Sequence, residues 1–74
     1  MANRDIHTVY KHGMWLNEVE GSGELSNRYV TKQSSIAGGR QEAIKRGTDH
    51  VIHNADGTIR ERNYYGPEPA RRTA

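Results

Sequence analysis

The four histidines, His7, His12, His50 and His53, are the residues of this chain best equipped for chemistry. Neutral imidazole is the commonest metal ligand among side chains, and it changes charge near physiological pH. Their spacing argues against a metal centre. His50 and His53 are three apart in a strand-like stretch, where an odd separation sends side chains to opposite faces. His12 precedes Gly13 in a segment that reads as a tight turn, and His7 lies on the approach to it. The absence of cysteine closes the route to a thiolate zinc site. The four rings are expected to face solvent or to be hydrogen bonded, with no metal and no cofactor.

Hydrolytic chemistry has less to work with. Ser22, Ser26, Ser34 and Ser35 fall in loops or at a helix start, outside any nucleophile-elbow pattern. Glu18, Glu20, Glu24, Asp49, Asp56 and Glu61 are scattered, and Asp56 suits a turn. A domain this small offers little water-excluding volume, so no enzyme and no small-molecule substrate are expected.

Arginines supply another chemistry, since guanidinium grips phosphate or carboxylate through paired N–H donors. Arg60 and Arg62 alternate along one strand face. They nominate a surface to which Lys11, Tyr64 and Arg46 add, with Arg71 and Arg72 on a C-terminal tail. Basic strands with aromatic neighbours can hold nucleic acid. Glu61 interrupts the run, and Glu18 and Glu20 place negative charge nearby. Net charge is only +2, with 11 basic and 9 acidic residues. On this reading, replacing Arg60 and Arg62 by alanine leaves the fold intact.

These groups must be positioned by a thin fold. Seventy-four residues make one domain with a small core, for which dimerisation is one route to further burial. The reading divides the chain into a leader over 1–4, a domain over 5–66 and a disordered tail over 67–74. His12-Gly13 is expected to turn a hairpin pairing Ile6 with Val19, Thr8 with Asn17, Tyr10 with Trp15 and Lys11 with Met14. Its core face would carry Ile6, Tyr10, Trp15 and Val19. Its other face carries His7, Val9, Lys11, Met14, Leu16 and Glu18. Residues 21–24 read as a flexible turn and 25–30 as irregular or briefly extended chain.

Thr31 is a good N-cap for a helix to about Arg46, with Gly47 as C-cap. Its stripe would be Ile36, Ala37, Arg40, Ala43 and Ile44. The Gly38-Gly39 pair within it either admits a close approach to the sheet or is tolerated because packing holds the helix. In a second hairpin, an Asn54–Gly57 loop would pair Ile52 with Ile59, both toward the helix. Val51, His53, Thr58, Arg60 and Arg62 would point away. The order is β-β-α-β-β, an α+β class of antiparallel hairpins with one helix packed on the sheet.

TVYKHGMW, the helix entry at Thr31-Lys32, and IH-x-x-DG-x-I-R-x-R-x-x-YG over residues 52–66 resemble the small bacterial proteins of domain-of-unknown-function family 2188. The likeness extends over roughly residues 6–69. It implies a short single domain of this same element order and carries no functional residues with it. Two positions depart from the family pattern. Ser34 stands where an acidic residue is usual, and Asn17 where an apolar residue is usual.

Taken together, the sequence reads as a small non-enzymatic interaction module, a homodimer or an accessory protein working through protein–protein contact. The alternative is a nucleic-acid-binding module using the Arg60/Arg62 face. No apolar run is long enough to span a membrane, and a cytoplasmic location is expected.

Overall fold

The computed structural model describes residues 4–66, so the expected tail and most of the expected leader lie outside the described residues. Six elements follow in order: β1 (Ile6–Lys11), β2 (Met14–Val19), β3 (Gly23–Tyr29), α1 (Lys32–Arg46), β4 (Asp49–His53) and β5 (Ile59–Tyr64). The strands form a single five-stranded sheet in the order β3-β2-β1-β4-β5. Only the central β1–β4 pair is parallel. The α+β class holds, and the order gains one strand over the expected β-β-α-β-β. Sequence GELSNRY lacks the alternation that marks a strand, and its strand state comes from pairing with β2.

The first hairpin forms in the expected register, from Ile6 opposite Val19 to Lys11 opposite Met14. His12 and Gly13 both take positive φ, 53° and 81°, as a two-residue hairpin turn of matching twist requires. The second hairpin departs from expectation. Ile52 lies opposite Glu61, and His53 opposite Ile59 across a bulge. Asn54 N–H donates to Thr58 O and Gly57 N–H to Asn54 O, so the loop closes one residue later than expected. The slip in the body of the strand is two residues, which preserves faces, so Arg62 still shares a side with Val51. Ile59 is left 57% exposed instead of turning toward the helix.

Thr31 Oγ1 accepts from Ser34 N–H at 3.1 Å, so the helix is capped without an acidic residue at 34. Gly47 closes it in the left-handed conformation at φ 69°. The buried face of α1 is Ser35, Gly39 and Ala43, spaced four apart. The expected stripe is therefore rotated: Ala37, Arg40 and Ile44 face solvent, and only Ala43 of that set is fully buried. Small side chains allow the helix to lie close, which decides between the two accounts of the glycine pair. Ile6, Val19 and Ala43 form the core cluster, with Leu25 and Tyr65 packed against it.

Trp15 is half-buried and Tyr10 is 42% exposed, so neither is the core residue expected. Their rings tilt together 5.2 Å apart at the hairpin tip, and Lys32 Nζ stands 5.1 Å from the Trp15 ring. The positions between Ile6 and Tyr10, and between Val19 and Trp15, are Thr8 and Asn17, and both are buried.

Candidate functional site

Thr8, Asn17 and His50 form a polar seam between sheet and helix. Thr8 Oγ1 donates to Asn17 Oδ1 at 2.5 Å and lies 2.7 Å from His50 Nε2. The hydroxyl has one proton, already committed to Asn17, so the imidazole donates from Nε2 and its Nδ1 carries a lone pair. That Nδ1 is buried without a hydrogen-bond partner among the described residues. Asn17 Nδ2 donates to the Ser35 carbonyl at 3.1 Å, tying β2 to the helix. Burial, with a contribution from the Arg40 charge, lowers the His50 pKa to about 4. His50 is therefore a neutral structural histidine. Asn17, at the position where the family pattern has an apolar residue, is the middle of this seam.

The opposite face of the sheet is lined by three charge clusters. Lys11 Nζ reaches Glu18 at 2.5 Å and Glu24 at 3.7 Å, and Arg28 reaches Glu24 at 2.8 Å. Glu18 and Glu24 are cross-strand partners, a repulsive pairing that the lysine between them relieves. Its hydrogen bond with Glu18 is the main reason the Lys11 pKa is raised. On the β4–β5 side, Arg62 Nη1 meets Asp49 at 2.6 Å and Asp5 at 3.2 Å. These contacts, that with Asp49 first, raise the Arg62 pKa. Between the two clusters, His7 and His53 stand in hydrogen-bond contact, with His7 also against Glu20. The paired charges on this face are three cations, Lys11, Arg28 and Arg62, against five carboxylates, Asp5, Glu18, Glu20, Glu24 and Asp49. Among these paired groups of the described residues, carboxylates outnumber lysine and arginine by two.

The residues nominated from sequence do not form one surface. Arg60, Arg62 and Tyr64 share β5, but Lys11 lies on β1 with β4 between, and Arg46 is at the end of the helix. Arg46 is held by Glu42 at 3.1 Å. Arg60 is exposed and makes no ion pair or side-chain hydrogen bond among the described residues. Tyr64 is half-buried and lies opposite Asp49 in the ladder. His50 and His53 do face opposite sides, as their spacing required. Sequence reasoning missed the meeting of His7 with His53, which depends on β1 lying beside β4. No local pattern signals that pairing.

A mixed five-stranded sheet backed by one helix defines a small two-layer α+β protein; among the described residues it holds no cluster of three or more metal-ligating groups. The chain belongs to the family described as uncharacterized protein conserved in bacteria (DUF2188), whose model matches residues 6–65. No curated protein and no solved structure matches it.

Proposed function

We propose that this chain is a small non-enzymatic interaction module that works through protein–protein contact, as a homodimer or as an accessory to a larger assembly. The observation that carries this reading is the β5 edge. The helix rests on β1, β2, β3 and β4 and makes no contact with β5. The strand presents its outer backbone edge together with exposed Ile59 and uncommitted Arg60. An exposed strand edge offers unpaired N–H and C=O groups to a partner strand, and an apolar side chain with an arginine beside it supplies specificity.

The charge pattern weighs against nucleic acid as the partner. Polyanion binding draws on cations free to replace counterions. Lys11, Arg28, Lys45, Arg46 and Arg62 each already face a carboxylate. Among the described residues no helix is long and apolar enough to cross a membrane. The lack of cysteine accords with a reducing compartment, and we assign the module to the cytoplasm as part of the same proposal.

Sedimentation and thermal melting over a range of protein concentrations test the reading, with Ile59→Lys/Arg60→Glu as the variant. A melting temperature that rises with concentration, and ceases to do so in the variant, supports self-association through β5. A concentration-independent wild type points to a different chain as partner, to be sought by crosslinking from position 59. Binding to labelled DNA or RNA that weakens steeply between about 50 and 200 mM salt would overturn the proposal in favour of nucleic acid.

A further inference from the structure

We propose that His7 and His53 form a proton-bridged imidazole pair, a site that holds one proton between two rings and with it pins the turn after β2 to the turn after β4. The pair lies on the sheet face away from the helix, in a groove that Val9, Glu18 and Glu20 also line. His7 Nδ1 and His53 Nε2 are 2.9 Å apart. The outer nitrogen of each ring is also engaged. His7 Nε2 is 2.9 Å from Glu20 Oε1, and His53 Nδ1 is 3.2 Å from the Gly57 carbonyl oxygen.

These contacts fix the proton count. A carbonyl oxygen only accepts, so His53 Nδ1 carries a hydrogen. An ionised Glu20 also only accepts, so His7 Nε2 carries one as well. With both rings neutral, the two inner nitrogens would then face each other as bare lone pairs at 2.9 Å, which is repulsive. One further proton resolves the conflict wherever it resides. On His7 Nδ1 it is donated to His53, and on His53 Nε2 it is donated to His7. If it resides on Glu20 instead, the carboxyl donates to His7 Nε2 and His7 donates onward from Nδ1. In each arrangement the three groups hold three protons and have zero net charge.

The ring positions favour a proton over a metal ion. The ring centroids are 5.2 Å apart. That is the separation reached when both rings point at each other along one line, with the 2.9 Å gap between their nitrogens. Metal–nitrogen bonds of about 2.0–2.1 Å would place an ion off that line at a corner of about 90° and bring the ring centres closer.

The neighbouring carboxylates Glu18, Asp5 and Asp49 are already paired with cations. From β2, Glu18 lies opposite His7 but is bonded to Lys11. From β5, Arg62 lies opposite Val51 and is bonded to Asp5 and Asp49. Arg60 stands at the β4–β5 bulge, and His50 faces the other side of the sheet. Glu20 is thus the counter-charge of the pair. Without the shared proton, either the two inner nitrogens face each other as lone pairs or His7 turns a bare Nε2 toward the Glu20 carboxylate, so no arrangement with one proton fewer keeps all three contacts. A second proton puts a cation on each ring and removes the acceptor of the N–H···N link.

The test is imidazole 15N NMR of the full chain from about pH 5 to about pH 9. The expected result is a scalar coupling between His7 Nδ1 and His53 Nε2 across the hydrogen bond, lost at the acid end where both rings carry a second proton. It should be unchanged in His12→Gln and absent in His53→Gln. In the folded His53→Gln protein, exchange of the hydrogen-bonded Ser22 and Gly57 amides should quicken by about tenfold or more. No coupling at any pH in the wild type would overturn the proposal, and that measurement stands even if the variant fails to fold. Coupling without any change in turn exchange in a folded variant would overturn the pinning role.

Discussion

Gly39 lies directly above His50. A Cβ added at Gly39 would stand 2.5 Å from His50 Nε2, 2.6 Å from Asn17 Oδ1 and 2.7 Å from Thr8 Oγ1. The missing side chain is what lets the helix close over the polar seam, and the three atoms beneath it are held by one another. Gly39→Ala gains about 1 kcal/mol of helix propensity and meets overpacking of about 1–3 kcal/mol. We expect a net loss of up to about 2 kcal/mol, measured by urea denaturation. Gly38→Ala is the control. Its Cβ would meet the Tyr29 hydroxyl, the far end of a side chain on an edge strand that can move. That variant is expected to lie within about 1 kcal/mol of wild type.

His50 gives stability a pH dependence of predictable sign. Its folded pKa of about 4 lies below the ordinary 6.5, so the unfolded chain takes up the proton first on acidification. The folding free energy is fully retained above 6.5 and declines as pH falls from 6.5 to about 4. Below that, both states bind the proton and the contribution stays flat. The decline is on the order of 3 kcal/mol. Denaturation curves at intervals through this window should show it in the wild type and a shallower slope in His50→Gln.

The two β5 arginines should part company. Arg60 has no partner among the described residues, so Arg60→Ala is expected to change stability by less than about 0.5 kcal/mol. Arg62→Ala leaves Asp5 and Asp49 facing each other, both mostly covered. A loss of about 1 kcal/mol is expected in thermal melts. The double variant is therefore less innocuous than the sequence implies, and Arg60 alone is the clean probe of surface function.

Trp15→Ala should leave a folded protein. A fully buried tryptophan costs about 3–5 kcal/mol to truncate. Trp15 is half-buried beside exposed Tyr10 and under Lys32, so about 2 kcal/mol is expected. Circular dichroism of the variant checks this. Lys32→Ala should shift the tryptophan emission of the otherwise intact chain.

Those elements that depend on local chemistry were legible in the sequence. His12-Gly13 dictates its turn, Thr31 and Gly47 bracket the helix, and alternation fixes the first hairpin residue for residue. What escaped depended on partners distant in the chain. β3 has no pattern of its own and is a strand because β2 is beside it. Apolar spacing does not mark the buried helix face, because Ile44 is exposed whereas the polar seam and the close approach select the small residues Ser35 and Gly39. The expected arginine surface dispersed for a related reason. Lys11 and Arg62 answer carboxylates brought by other strands, and the sequence gives no strand order from which to see it.

The parallel β1–β4 pair sets an order of events during synthesis. In any partly folded chain that lacks β4, the β1 edge along Ile6, His7 and Thr8 has no neighbouring strand. Such a margin is what a neighbouring nascent chain could pair with. Only the arrival of β4 moves the first strand from the rim to the middle.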